Sequence, residues 1–184
     1  MMNVVAIVGM AGAGKTEVAR LFEREGYIRV RFGDITDEEI RAQGLRLCEE
    51  NERRVREQLR KEYGMDAYAR LNLKRIEAAL KKAPVVIDGL YSWEEYRFLK
   101  EGYRDVFGVV AVWASPKTRR ARLAQRAERP LTEDEAIARD FAEVEEINKG
   151  GPIAMADFTI LNESNLKDLA KEVKRIKTVL ERGV

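Results

Sequence analysis

The sequence predicts an α/β fold in which helices cover a mostly parallel sheet. Short apolar runs alternate with amphipathic helical segments along all 184 residues, an order typical of parallel sheets. The first run, Val4–Val8, is apolar throughout and ends at a glycine, as expected for a strand buried on both faces. The next segment carries apolar residues at helical spacing from Lys15 to Glu25, before Gly26. The length suits one hydrophobic core, so we predict one domain over residues 1–184.

The remaining elements follow from the same two periodicities. Ser115 and Pro116 have the residue types of a helix cap and first turn, and Thr132 opens a capping box for a helix over 133–146. Ser164 is expected to cap the C-terminal helix. Four further strands are predicted, at 27–32, 85–88, 106–113 and 158–161.

The stretch between the second and third strands is too long and too highly charged for a simple crossover. From Asp37 to Lys82 it has mostly helical character, broken near Tyr63-Gly64. We therefore predict a helical insertion at about 35–82 that protrudes as a subdomain.

Composition excludes several classes of function. With 34 basic and 32 acidic residues the net charge is +2, whereas nucleic-acid binders are usually clearly basic. The chain has no histidine and one cysteine, Cys48, so histidine bases, zinc clusters and internal disulfides are not expected. No apolar stretch is long enough to span a membrane, and the N-terminus has the pattern of a strand and not of a signal peptide. We expect a cytoplasmic protein without nucleic-acid or membrane partners.

A phosphate-binding motif connects the first strand to the first helix. Gly9, Met10, Ala11, Gly12, Ala13, Gly14, Lys15 and Thr16 match G-x-x-x-x-G-K-[ST] completely. The glycines let successive backbone amides turn inward, and the helix N-terminus adds its positive dipole end. Lys15 is expected to reach the β and γ phosphates, and the Thr16 hydroxyl to bind Mg²⁺. This P-loop predicts nucleotide binding, with ATP as the expected ligand.

Two acids follow predicted strands, at the sheet edge where open parallel sheets bind ligands. Asp88 ends the third strand and is expected to hold Mg²⁺ or to orient an attacking hydroxyl, although an Asp before Gly89 is also common in plain turns. Asp34 follows the second strand, which we expect to lie beside the P-loop strand. It is a candidate to accept a proton from a substrate hydroxyl, or alternatively to cap a helix.

Arginines repeat at helical spacing in the segment after Pro116. Lys117 to Arg129 contains six basic residues and one acidic residue, whereas Glu133 to Glu146 contains seven acids and only Arg139 as a base. Such a hairpin, at about 116–148, is suited to close over phosphates as a lid. The alternative is that the two helices simply pair with each other. Arg122, Arg126 and Arg139 are the preferred functional members, and the residues expected on one helix face are Arg119, Arg122, Arg126 and Arg129.

Together these motifs resemble nucleoside monophosphate kinases and dephospho-CoA kinases. The lid sequence Arg129-Pro130-Leu131-Thr132 and the last strand with its turn, 156–164, are most similar to dephospho-CoA kinases. The resemblance covers most of the chain. It implies a P-loop NTPase fold of three α/β/α layers with a five-stranded sheet, a substrate-side insertion and a lid. It also implies ATP on the P-loop and a nucleotide-like acceptor near Asp34 and Asp88.

These observations favour an ATP-dependent small-molecule kinase. In that reading Lys15 and Arg126 neutralise phosphate charge. Gly150-Gly151-Pro152 forms either a loop near the adenine or a plain turn, and Tyr91 and Trp93 either stack on a base or pack a helix onto the sheet. A regulatory switch with slow ATP or GTP hydrolysis, and a kinase of the shikimate or gluconate type, remain alternatives. The oligomeric state is expected to be monomer or homodimer.

Overall fold

A five-stranded sheet lies at the centre of the computed structural model, which describes residues 2–127 and 130–182. All pairs are parallel, in the order β2-β3-β1-β4-β5, so the predicted parallel sheet is confirmed. The strands are β1 (Val4–Val8), β2 (Ile28–Arg31), β3 (Val85–Asp88), β4 (Phe107–Trp113) and β5 (Phe158–Leu161).

Helices cover both faces of the sheet. A short 3₁₀ turn, Arg104–Val106, leads into β4. The helices are α1 (Lys15–Arg24), α2 (Asp34–Ala42), α3 (Glu49–Tyr63), α4 (Ala67–Leu80), α5 (Trp93–Tyr103), α6 (Pro116–Ala124), α7 (Glu133–Glu145), α8 (Gly150–Ala154) and α9 (Leu166–Arg182).

The central strand β1 shows why three layers form. Its side chains alternate between two cores: Val5 and Ile7 pack with α1 and α9, whereas Val4 and Ala6 pack on the other side with α4 and α5. All five of its residues are buried. Because successive strand side chains point to opposite faces, a strand that is apolar at every position needs a helical layer on each side.

Within the predicted insertion, α4 packs on β2 and β3, whereas α3 packs on α2 and α4. Val55 and Leu59 of α3 and Ile76 of α4 belong to the same buried core as β1 and β3. The break near Tyr63-Gly64 is confirmed between α3 and α4, but a further break at 43–48 was not predicted. The apolar face of these helices is hard to recognise in the sequence because most of their residues are polar or charged. Only about one residue in three or four points toward the core.

Three helix caps were predicted from the sequence, and the structure confirms two of them. The caps at Ser115 and Thr132 are confirmed, since each side chain accepts a hydrogen bond from a backbone amide three residues on. The predicted cap at Ser164 is wrong: Asn165 caps α9, with its Oδ1 accepting from the amides of Lys167 and Asp168 at 2.9 and 3.1 Å. Asn and Ser are equally good cap residues, so the pattern alone could not choose between them.

Candidate functional site

The P-loop forms the tight strand-to-helix turn that its sequence predicts. Gly12 and Gly14 have φ values of 78° and 101°, a region that side chains disfavour. A Cβ on Gly12 would lie 2.6 Å from the carbonyl oxygen of Arg119, and one on Gly14 would lie 2.2 Å from Nδ2 of Asn162. Asn162 in turn donates from Nδ2 to the carbonyl oxygen of Ala13, at 2.8 Å. The loop is therefore fixed both by its own glycines and by β5 and α6.

Lys15 folds back over the loop that it follows. Its Nζ donates to the carbonyl oxygens of Gly9 and Met10, at 2.7 and 3.0 Å. The pKa of Lys15 is lowered to about 7, mainly by burial and then by the positive charge of Lys149, while the negative charge of Glu143 opposes the shift. A phosphate beside this amine would restore its full positive charge, so the residue suits an anionic ligand.

Thr16 and Asp88 meet at the carboxyl end of β3. The Thr16 hydroxyl lies 3.5 Å from Oδ1 of Asp88, whose residue is only 4% exposed. Arg29 donates to Oδ2 from Nε and Nη2, at 3.0 and 2.5 Å. This leaves one carboxylate oxygen facing the P-loop hydroxyl. Such a pair fits Mg²⁺, which usually takes one or two protein ligands and completes its shell with phosphate and water oxygens.

Asp34 lies farther from the P-loop than predicted. β3 separates β2 from β1, so the expectation that the second strand lies beside the P-loop strand is wrong. Asp34 is the first residue of α2 with a 47% exposed side chain. Nη1 of Arg31 donates to Asp34 at 2.7 Å and to Asp37 at 2.6 Å. Because Arg31 pairs in register with Asp88, the two predicted acids share one end of the sheet without touching.

The arginines expected on one helix face do not all lie on one helix. α6 ends at Ala124, so Arg126 lies beyond the helix, and Arg129 lies outside the described residues. Arg119 is 5% exposed and forms a bidentate ion pair with Asp140 of α7. Its Nη1 lies 2.6 Å from Oδ1 and its Nη2 lies 2.9 Å from Oδ2. For this residue the alternative reading, in which the basic and acidic helices pair with each other, is the observed one.

The three preferred arginines lie in α6, just after it and in α7. Nη2 of Arg122 donates to the carbonyl oxygen of Asn162 at 2.9 Å, while its buried Nη1 has no hydrogen-bond partner in the described part of the chain. Arg126 reaches solvent at the mouth of a cleft; partial burial and then the charge of Arg139 lower its pKa. Arg139 pairs with Glu49 at 3.3 Å and with Glu143 at 3.5 Å. Arg139 thus contacts α3, and Arg122 contacts the residue that anchors the P-loop.

A cleft of about 1020 Å³ opens between α3 and α7, and its wall includes Glu143, whose Oε2 accepts a hydrogen bond from the P-loop amide of Ala11. Tyr91 lines it and contacts Tyr68 edge-on at a centroid distance of 5.5 Å. Trp93 instead stacks on Tyr96 at 5.1 Å and packs against the core, which supports its packing role. The volume suits a small-molecule ligand.

Gly150-Gly151-Pro152 was expected to form a loop near the adenine or a plain turn. In the structure it is instead the beginning of the short helix α8. Gly151 lies against the ring of Trp93, where a Cβ would approach to 2.7 Å. The close packing of a helix on an aromatic ring explains a small residue here as well as a turn would.

Sequence reasoning missed four charged residues of this region: Arg29, Glu95, Glu143 and Lys149. Glu143 was only one acid among seven in its segment, and Arg29 had the alternation of a solvent-facing residue. Burial alone would raise the pKa of Glu143, but Lys149, Lys15 and Arg139 together lower it to about 2. Burial raises the pKa of Glu95 to about 7. Glu95 follows Ser92 at the spacing of a capping box, a signal that the sequence does carry, whereas Arg29 lies 59 residues from its partner Asp88 along the chain.

Sequence comparison gives the site its family context. A UPF0200 protein of Thermococcus gammatolerans is 35% identical over 185 residues, covering 98% of this chain and 97% of its own. A UPF0200 protein of Aeropyrum pernix is 35% identical over 173 residues, covering 94% of this chain and 90% of its own. The chain belongs to the UPF0200 family. The sequence model of the AAA_18 family, described as an AAA domain, matches residues 5–148, from β1 to just beyond α7 of this UPF0200 chain.

Solved structures with the same fold include small-molecule kinases. A shikimate kinase from Bacteroides thetaiotaomicron aligns with a TM-score of 0.63 at 14% identity, over 96% of this chain and 98% of its own. A gluconokinase from Sinorhizobium meliloti 1021 aligns with a TM-score of 0.58 at 16% identity, over 94% and 92%. The chain therefore has a P-loop kinase-like fold. No helix in the described part of the chain is long and apolar enough to cross a membrane.

Proposed function

We propose that this protein is an ATP-dependent phosphotransferase that moves the γ-phosphate of ATP to a small, nucleotide-like acceptor. One observation carries the proposal: the P-loop lysine and the Thr16–Asp88 pair lie at the carboxyl end of the sheet, and Arg126 and Arg139 line a cleft of about 1020 Å³ whose wall also includes Glu143, which bonds to the P-loop amide of Ala11. A plain nucleotide-binding switch needs the first of these features but not an arginine lid over a second ligand cavity.

On the donor side, backbone amides of the P-loop and Lys15 would bind the phosphates of ATP. Thr16 and Asp88 would hold Mg²⁺, which supplies positive charge to the β and γ phosphates during transfer. Arg126 and Arg139 would neutralise charge on the transferring group from the lid side. Nη1 of Arg122, for which the described residues provide no hydrogen-bond partner, would contact the nucleotide.

On the acceptor side, we assign Asp34 the role of orienting the acceptor hydroxyl or accepting its proton. Arg31, the last residue of β2, pairs with this carboxylate at 2.7 Å at the start of α2. A base must lie within hydrogen-bond reach of the proton that it removes, and the shared sheet end of Asp34 and Asp88 supports that geometry. Tyr91, in the wall of the cleft, offers an aromatic edge for a base.

A coupled assay of ADP release tests the proposal directly. The acceptors are nucleoside monophosphates, dephospho-CoA, shikimate and gluconate, each with Mg²⁺ and ATP. We expect one nucleotide-like acceptor to raise ADP release well above the rate without acceptor. Because shikimate kinase and gluconokinase share the fold, stimulation by a non-nucleotide metabolite would favour the small-metabolite kinase instead. Tight ATP binding without stimulation by any acceptor would favour the regulatory switch.

Variants separate chemistry from binding in the same assay. Lys15→Ala should remove most turnover, because it takes a cation from the phosphates. Lys82→Ala is the matched control, since Lys82 is exposed in the turn before β3, at the opposite end of that strand from Asp88. Arg126→Ala should lower kcat more than it raises KM for ATP if Arg126 acts in the transition state. Unchanged turnover in Lys15→Ala would contradict the assignment.

A further inference from the structure

The carboxylate of Glu143 lies on the phosphate-binding loop. Its Oε2 accepts a hydrogen bond from the backbone amide of Ala11, at 3.1 Å. Glu143 comes from the lid helix α7 and is only 8% exposed. Ala11 belongs to the motif whose amides turn inward toward phosphate oxygens. An acid of the lid therefore uses a donor that the motif provides for an anionic ligand.

The other groups around Glu143 complete an anion site. Its Oε1 lies 2.9 Å from Nζ of Lys149 and 3.5 Å from Nε of Arg139. Lys149 is 1% exposed, and its ammonium also lies over the ring of Tyr91, 5.5 Å from the centroid. A P-loop amide, an ammonium and a guanidinium are the same donors that hold a phosphoryl group in kinases.

A purely structural ion pair explains part of this arrangement. Buried lysines need a counterion, and Glu143 supplies one. It does not explain the bond to Ala11, because a structural partner for Lys149 has no need of a P-loop amide. The positive charge of Lys15, which also acts on Glu143, belongs to the phosphate site as well.

Building on the proposed function, we propose that Glu143 competes with the terminal phosphate of the nucleotide for the P-loop, and that Lys149 is a second phosphate-binding lysine. When the nucleotide binds, the Glu143 carboxylate leaves the Ala11 amide and the phosphate takes its place. Lys149 then changes its partner from Glu143 to the phosphate. Until then, the carboxylate keeps the buried cations of the site paired.

Nucleotide-binding measurements on charge-neutral variants test this proposal. The probe is AMP-PNP with Mg²⁺, and the dissociation constant is measured by calorimetry on the full chain. Glu143→Gln keeps the shape of the side chain but removes the competing charge, so it should bind AMP-PNP about tenfold more tightly, a change within the usual range of coupling between sites. Asp134→Asn is the control, since it makes the same charge change at an exposed position of α7 outside the wall of the cleft and should leave the affinity unchanged.

The double variant Glu143→Gln with Lys149→Met isolates the lysine. If Lys149 binds phosphate, this variant should bind AMP-PNP about tenfold more weakly than Glu143→Gln alone, and Lys149→Arg in the same background should restore part of the loss. If Lys149 only balances Glu143, the double variant should match Glu143→Gln, which would overturn that half of the proposal. Thermal unfolding without nucleotide confirms that each variant is folded.

The outcomes separate the two proposals. If folded Glu143→Gln binds AMP-PNP no more tightly than wild type, Glu143 does not compete with the terminal phosphate for the P-loop. Failure of every acceptor in the ADP-release assay overturns phosphotransfer but leaves this binding test intact. Absence of AMP-PNP binding in both wild type and Glu143→Gln overturns the proposed function and the inference with it.

Discussion

Replacing Arg119 by methionine is expected to lower the free energy of unfolding by about 3–5 kcal/mol, the usual cost of removing one partner of a buried ion pair. Arg119 is 5% exposed and makes four hydrogen bonds. Two go to Asp140, and the others go to the carbonyl oxygens of Ala114, at 3.2 Å, and Ala11, at 3.1 Å. Methionine fills much of the volume but leaves a carboxylate and two carbonyls without these donors.

Urea denaturation and thermal melts measure the loss. For a chain of this size the midpoint should fall by about 10 °C, at roughly 2–4 °C per kcal/mol. Arg175→Met is the control: Arg175 pairs with Glu172 on the surface of α9 at 3.0 Å, and exposed pairs contribute about 1 kcal/mol or less. Combining Arg119→Met with Asp140→Leu should recover part of the stability, because no charge is then left without its partner.

A small stability loss with a large loss of turnover would refute this assignment. If Arg119→Met costs under about 1 kcal/mol and lowers kcat more than tenfold, Arg119 acts on the reacting groups and the ion pair with Asp140 is incidental. The result therefore decides between the two readings of the arginine repeat, at the residue where the structure favours pairing most clearly.

The remaining predictions concern Glu95, Gly12 and Asn162. Because burial raises the pKa of Glu95 from 4.5 to about 7, its stabilising contribution is complete below pH 4.5 and is lost as the pH rises to 7, at a cost of up to about 3 kcal/mol. Urea denaturation at pH 5 and 7.5 measures how the free energy of unfolding changes with pH. Glu95→Gln should lose this pH dependence, and an equal dependence in both proteins would contradict burial of Glu95 as its cause. Gly12→Ala, at φ 78° and with a Cβ 2.6 Å from a carbonyl, should destabilise the fold by about 1–3 kcal/mol and weaken AMP-PNP binding; unchanged affinity would show that the loop adapts. Asn162→Ala should lower the free energy of unfolding by about 1–2 kcal/mol, because it removes the hydrogen bond to the carbonyl oxygen of Ala13. A midpoint of thermal unfolding equal to that of wild type would show that this bond does not stabilise the P-loop.

Much of the fold was predictable from the sequence because local chemistry repeats at a fixed spacing. The continuous apolar run of β1, the helix after Lys15 and the Thr132 capping box depend on residues close together in the chain. Boundaries were less certain, as the caps Ser164 and Asn165 show, since neighbouring polar residues offer the same hydrogen bonds. The packing of α3 and α4 was not predicted, because one buried face in a highly charged helix is a weak periodic signal.

The sequence by itself determined the P-loop, because one strand, one turn and one helix follow each other without a gap and need no distant partner. It also determined that acids follow the second and third strands. Only the tertiary structure decided which charges meet: Arg29 with Asp88, Arg119 with Asp140, and Lys149 with Glu143 on the amide of Ala11. The physical reason is that an ion pair depends on distance in space and on the exclusion of water. Neither quantity can be read from the spacing of charges along a chain in which charged residues make up 36% of the total.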